Sequence, residues 1–344
     1  MSGAPVLLHH PSSLAHETGA HPESSGRIVA IEQELRDRDW CGWERVASDP
    51  VALETLTAVH PASHVEMVGR AAAAGGARID ADTVVSGGSF VAALHACGGA
   101  VELVDRLLAR SAPCGFSIHR PPGHHATPSV AMGFCLFNNI AVAARHAVDA
   151  YGLERVMIVD WDVHHGNGTN DIFAADPRVL FVSVHQSPLY PGTGAASDAG
   201  TGDGEGFTIN VPVGPGSGDE VFSSVVRNVA VPLARAWAPQ LLLISAGFDA
   251  HREDPLAECD VTETGFVSMA AALREVCEDV GAPFGAVLEG GYAPGALARS
   301  VAATMGAMAG AEVGSAGAEA AGGDVAPEAR RARERLARYW PDLG

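Results

Sequence analysis

The chain has 344 residues, with 22 Lys and Arg against 41 Asp and Glu, a net charge of −19. So acidic a composition excludes the basic stripe that nucleic-acid binding needs, and it favours cationic ligands. Hydrophobic residues make up 47% and charged residues 18%, a balance that suits a globular core and not disorder.

From the N-terminus, the opening MSGAPVLLHH has no charged n-region and no sustained apolar stretch. No apolar run approaches the ~18 residues of a membrane-spanning helix, so a cytoplasmic protein without membrane contact is expected. A first strand is expected over Val6–Leu8, then helices over Arg27–Arg38, Ser63–Ala73 and Ser89–Ala109. A strand over Gly115–His119, a helix over Asn138–Tyr151, and strands over Val156–Asp160, Val179–Val184 and Phe207–Val211 follow. The rest alternates: helix Asp219–Trp237, strand Leu241–Ser245, helix Glu263–Val280, strand Phe284–Leu288, helix Pro294–Ala309. The strands are continuously apolar, as strands covered on both faces are. The alternation predicts an α/β fold with a parallel sheet and right-handed crossovers. One domain is expected over 1–308, then an Ala/Gly-rich flexible linker over 309–326 and a short docked helix over 327–344, which begins at a proline. Cysteines stand at 41, 97, 114, 135, 259 and 277 with no CxxC pair, so reduced thiols are expected. Oligomeric state is not legible, and an oligomer is compatible with everything above.

In an open parallel sheet, ligands bind beyond the carboxyl ends of the strands. Five expected strand ends carry polar or glycine-rich segments: RPPGHHA (120–126), DWDVHHGNGT (160–169), HQSPLYPGTG (185–194), AGFDAHREDP (246–255) and EGGYAPG (289–295). Alternation along an extended segment would put Asp160, Asp162 and His164 on one face, with Trp161 and Val163 on the other. Two carboxylates and an imidazole together call for a cation, and Asp-x-His offers ligands for a divalent ion such as zinc, with Asp249 able to complete the set. A simple hydrogen-bonded Asp162–His164 pair is the plainer alternative. His124 and His125 follow a backbone stiffened by Pro121 and Pro122, and can serve as general base and acid beside an acidified water. Asp160 and Asn167 are candidates to fix their tautomers; a satisfied surface pair is the alternative. Tyr292, after Gly290–Gly291, could donate to an oxyanion or be an ordinary turn residue. Phe134 and Tyr190 could wall a slot or sit in the core. His9–His10, in a polar N-terminal segment, reads as structural.

RPPGHHA, GFCLFNN, DWDVHHGNGT, GFDAHREDPL and EGGY together resemble the zinc-dependent histone deacetylase and acetylpolyamine amidohydrolase superfamily. HPESSGR at 21–27 is similar to the HPE-x-x-x-R segment of its class II-like bacterial members. The match runs from about residue 6 to 308. It implies an arginase–deacetylase-like α/β/α sandwich around an eight-stranded parallel sheet. It also implies Asp162, His164 and Asp249 as ligands of one Zn2+ per subunit, with Fe2+ possible. His124 backed by Asp160 and His125 backed by Asn167 would be the histidine dyad, and Tyr292 would polarise the acyl carbonyl. Phe134 and Tyr190 would flank the acyl tunnel and Gly133 its floor. A structural K+ or Na+ is implied at Asp160, Asp162, His164, Ser183 and Val184, and a second at Phe173, Asp176, Val179 and Phe207.

Three departures stand out. Asn167 replaces the aspartate of many class I members, Tyr190 replaces a phenylalanine, and the rim aspartate that holds a substrate backbone has no evident counterpart in TVVSGGSF, 83–90. The resemblance implies metal-dependent hydrolysis of an N-acyl amide. Leu256 occupies the position where polyamine-specialised members carry an acid, so an acyl-lysine substrate or a small acyl amide is expected ahead of an acetylpolyamine. Glu253, Glu17 and Glu23 are the acids able to supply that charge instead. A two-metal ureohydrolase is disfavoured because Asp249-Ala250-His251 lacks a second carboxylate. A non-catalytic acyl-binding relative is disfavoured because all six chemical positions are filled.

Overall fold

The apolar runs pair into one sheet. The computed structural model describes residues 3–311 and 324–341. Its strands are β1 (Val6–His9), β2 (Glu44–Ala47), β3 (Gly76–Arg78), β4 (Val84–Ser86), β5 (Cys114–Ser117), β6 (Val156–Asp160), β7 (Val179–Gln186), β8 (Thr208–Val213), β9 (Leu241–Ala246) and β10 (Phe284–Leu288). Eight of them form a sheet in the order β2-β1-β5-β10-β9-β6-β7-β8, and every pairing in it is parallel. β3 and β4 make a separate antiparallel pair.

Strand periodicity sorts the core into two layers. Leu7, Phe116, Met157, Val159, Leu242 and Ile244 face one way, under helices Gly26–Asp37, Glu263–Val280 and Pro294–Met308. Val6, Leu8, Val156, Ile158, Leu241 and Leu243 face the other, under helices Ala62–Ala73, Ser89–Leu108 and Asn139–Tyr151. The result is the three-layer α/β/α sandwich that the alternation implies.

The strand order also positions the site. After β5 the chain skips two places to lay down β6, β7 and β8, then returns to fill the gap with β9 and β10. The carboxyl ends of β5, β10, β9 and β6 are therefore neighbours, and the segments that follow them converge on one crevice.

Three differences from the sequence expectation have physical reasons. β2 was not expected because its sequence, ERVA, is an edge strand with three of four residues exposed; it lacks the apolar run that marks the central strands. Asp160, Asp162 and His164 do not share a face by strand alternation. β6 ends at Asp160, and the chain bends so that Asp162 Oδ1 accepts the His164 amide at 2.9 Å. The last helix is Pro327–Leu336, shorter than 327–344, with Ala329, Ala332 and Leu336 buried. Of the expected linker, residues 312–323 lie outside the described residues.

Candidate active site

Asp162, His164 and Asp249 bring one donor atom each to within 4.8 Å of one another, all buried. His164 Nδ1 stands 3.2 Å from Asp162 Oδ1 and 3.1 Å from Asp249 Oδ2. The outer oxygens are committed elsewhere: Gly290 N donates to Asp162 Oδ2 at 2.8 Å, and Val163 N donates to Asp249 Oδ1 at 2.9 Å. Each carboxylate is thus turned to offer one oxygen. Tetrahedral ligands ~2.0–2.1 Å from an ion stand about 3.3 Å apart, so the spacing fits a divalent ion such as zinc. The chemistry of the set fits too, because two buried carboxylates beside one imidazole are costly without a matching positive charge. Without the ion, burial and Asp162 push the Asp249 carboxyl up. Burial disfavours a charged His164, yet bonds to Asp162 and Asp249 outweigh it and raise its pKa to about 10. Glycine makes the packing possible. A Cβ at Gly290 would lie 2.0 Å from Asp249 Oδ2, and one at Gly247 2.1 Å from Asp162 Oδ2.

The histidine pair lies beside these donors, with ring centroids 4.0 Å apart. His124 Nδ1 donates to Asp160 Oδ2 at 3.0 Å, and its Nε2 is 3.7 Å from Asp162 Oδ1. Burial opposes a charge on His124, but Asp162 and Asp160 outweigh it and hold its pKa well above the usual value. His125 Nδ1 is 2.8 Å from Asn167 Oδ1, while the Asn167 amide nitrogen donates to the His125 carbonyl at 3.3 Å. Asn167 Oδ1 can only accept, so His125 Nδ1 carries the proton and Nε2 the lone pair. Burial and the neighbouring His124 charge keep His125 well below its usual pKa. The surroundings thus favour the charged form of one imidazole and the neutral form of the other.

A cavity of about 200 Å³ leads to these groups, lined by Asp82, His125, Gly133, Phe134, His164, Leu189, Tyr190, Leu256 and Tyr292. His124 lies behind His125. Gly133 and Phe134 both have positive φ, 55° and 69°, and Met132 and Cys135 exchange both backbone hydrogen bonds around them. This is a two-residue turn of the type I′ kind. The Phe134 ring projects edge-on to Tyr292 with centroids 5.5 Å apart, and Tyr190 meets His125 edge-on at 5.2 Å. Burial raises the Tyr292 phenol well above its usual pKa, against the pull of Arg27, so it remains a hydrogen-bond donor at neutral pH. A larger cavity, about 560 Å³, opens at the opposite end of the sheet, by the amino ends of β5 and β10, beside Arg110, Cys114 and Arg274. It holds no such constellation, so volume does not locate this site.

Several residues escape the sequence reading. Asp82, half-buried, lines the cavity wall one residue before the segment 83–90. Asp254 accepts the Tyr292 amide at 2.6 Å and the Leu256 amide at 3.0 Å, tying the tyrosine to the opposite rim. Of the acids offered as substitutes at Leu256, Glu253 pairs with Arg299 at 2.8 Å and Glu23 is fully buried against Arg27 and Arg120. His10 stacks on His95 at 3.5 Å and takes no part in the cavity wall. The residues expected around monovalent cations form two groups. Asp160 sits in register with Ser183, next to Val184. Phe173 O accepts from Asp176 N, Asp176 O from Val179 N, and Phe207 O from Phe181 N, while the Asp176 carboxylate is taken by Arg145 and Arg178.

The chain is similar to known proteins over most of its length. Residues 21–308 match the model of the histone deacetylase domain. A probable deacetylase of Archaeoglobus fulgidus is 40% identical over 312 residues, 88% of this chain and 86% of that protein. A histone deacetylase-like amidohydrolase of Pseudomonas aeruginosa is 40% identical over 248 residues, covering 72% and 65% of the two chains. The crystal structure of the HDA15 HD domain superposes with a TM-score of 0.90 at 34% identity, covering 100% of this chain and 97% of that one.

Gly290→Ala is expected to abolish stoichiometric zinc binding while the protein still folds. Calorimetric titration of metal-free protein checks this, with circular dichroism as the folding control. Unchanged zinc affinity would refute the cradle described here.

Proposed function

Because the chain belongs to the histone deacetylase domain family, we propose that it is a zinc-dependent amidohydrolase that removes an acyl group, acetyl in the simplest case, from a lysine-type amine. Amide hydrolysis of this kind is what the family relationship supports. The observation that carries the finer reading is the convergence of three candidate ligand atoms, a neutral imidazole and a protonated phenol, with His125, His164 and Tyr292 lining one cavity. Asp162, His164 and Asp249 would hold the ion. When bound, it supplies Lewis acidity, polarising an acyl carbonyl and lowering the pKa of a water; ferrous iron would suit the same ligands.

The protein's own groups do the rest. His125 Nε2 takes a proton as water adds to the carbonyl, then returns it to the departing nitrogen. His124, cationic against Asp160, supplies positive potential without entering the proton transfer. Tyr292 donates to the oxygen that becomes negative. The products are a carboxylate and a primary amine, which becomes cationic in water, a charge that an acidic protein attracts. Asp160, Ser183 and their neighbours, and the carbonyls of Phe173, Asp176, Val179 and Phe207, are proposed to hold structural K+ or Na+.

The rim argues for the substrate. Asp82 offers an acceptor for a peptide N–H, and Leu256 offers an apolar contact. Leucine cannot pair with the distal ammonium of a polyamine, and desolvating an unpaired ammonium costs several kcal/mol.

Tyr292→Phe should retain zinc and lower kcat by about 10²–10³, the scale of one lost oxyanion donor. Steady-state kinetics with metal analysis checks this, and an unchanged kcat would remove the phenol from the reaction. In a second test, acetyl-lysine peptide and acetylputrescine are compared on wild type and Leu256→Glu. The wild type should prefer the peptide and the variant should shift toward the polyamine. A wild type preferring the polyamine by about tenfold or more in kcat/KM, or 1.4 kcal/mol, would overturn the substrate assignment.

A further inference from the structure

Glu289 is fully buried beneath the site, does not line the cavity and has no part in the chemistry above. Its Oε2 accepts two consecutive backbone amides, Gly123 N at 2.6 Å and His124 N at 3.0 Å. Its Oε1 accepts Ser245 Oγ at 3.3 Å. Those two amides have no backbone acceptor among the described residues. They are also the first amides after Pro121 and Pro122, which carry no N–H. The segment between β5 and the helix Asn139–Tyr151 has no helix or strand of its own to orient His124 and His125.

Glu289 is equally tied at its backbone. Its N–H donates to Ala246 O at 3.0 Å, and its carbonyl accepts from the Arg27 guanidinium. Arg27 also donates to Gly291 O at 2.7 Å, and its guanidinium carbon lies 5.0 Å from the centre of the Tyr292 ring. One residue at the end of β10 therefore fixes the histidine loop on one side and begins the tyrosine loop on the other. Among the described residues no Lys or Arg side chain pairs with its carboxylate, and the nearby charges are those of His124 and Asp160. Burial pushes the Glu289 carboxyl up to about 7, against the pull of His124 and the two amides. A buried carboxyl whose bonds all go to one loop and one serine is costly as mere packing.

We propose that Glu289 is the positioning residue of the histidine pair. Its carboxyl oxygen gathers the Gly123 and His124 amides and so sets His124 and His125 against the metal ligands and Tyr292. This rests on the deacylase reading above. It acts through hydrogen-bond geometry, so an uncharged acceptor of the same length serves as well. The Glu289→Gln amide can keep its oxygen toward the two amides while its NH2 donates to Ser245 Oγ.

The experiment uses the full-length, zinc-loaded protein as wild type, Glu289→Ala, Glu289→Gln and Glu289→Asp. Reacting groups displaced by about 1 Å lose up to ~10² in rate, so Glu289→Ala should lose at least about tenfold in kcat with KM within about threefold. Glu289→Gln should stay within about threefold of wild type, and Glu289→Asp, too short to reach both amides, should lose at least about fivefold. The structural readout is nitrogen NMR of the histidine side chains. The His124 and His125 ring resonances should move in Glu289→Ala and Glu289→Asp and remain in place in Glu289→Gln. Wild-type-like kcat in Glu289→Ala, or in Glu289→Asp should the alanine variant not fold, would overturn the proposal. A Glu289→Gln as impaired as Glu289→Ala would do the same, because charge and not geometry would then be the cause. If the wild type itself hydrolyses no acyl amide, the functional reading fails, while unmoved histidine resonances in the alanine or aspartate variant would independently reject the positioning role.

Discussion

Two buried carboxylates and an imidazole cannot be packed at the end of a dry parallel sheet unless their charge is balanced. Much else in this molecule answers that constraint. Asp162 and Asp249 each give one oxygen to a backbone amide and turn the other toward His164. Glycine stands at 247 and 290, where any Cβ would collide with those carboxylates. The sheet order brings the carboxyl ends of β6, β9 and β10 side by side, so ligands nearly 90 residues apart in sequence meet at one point. A divalent ion would both neutralise the cluster and leave its geometry intact.

The same charge cluster sets the difference between the two neighbouring histidines. Asp160 and Asp162 draw positive charge onto His124. Burial and that charge, with only a neutral Asn167 behind it, leave His125 without a proton on Nε2. Two chemically identical side chains, adjacent in sequence, thereby sit in different electrostatic surroundings. Their loops need support of their own, and it comes from buried carboxyls that never touch the cavity's contents. Asp254 holds the Tyr292 and Leu256 amides, and Glu289 holds those of Gly123 and His124.

The central strands were legible because burial on both faces forces continuous apolar runs, and Val156–Asp160 and Phe284–Leu288 have the expected bounds. The helix Glu263–Val280 also has the expected bounds, with Thr262 capping its start and Gly281 ending it in the left-handed conformation. Edge strand β2 was not, because an edge needs no apolar run. The ligand residues could be read from their types and strand-end positions, although the bend at Asp162, made by a side-chain-to-backbone bond, is invisible to periodicity. Asp82 escaped because a rim acid has no sequence signature beyond its distance from a turn. Glu289 and Asp254 escaped because what matters about each is which amides its oxygens reach, and that is decided only when distant strands assemble.

The central claim is that this site works through one divalent ion held by Asp162, His164 and Asp249. The most direct measurement is turnover of an acetyl-lysine peptide by exhaustively chelated protein, followed by titration with zinc. The account predicts no activity without metal and full recovery at one equivalent per chain. Full activity in demonstrably metal-free protein, or recovery that requires two equivalents, would contradict it.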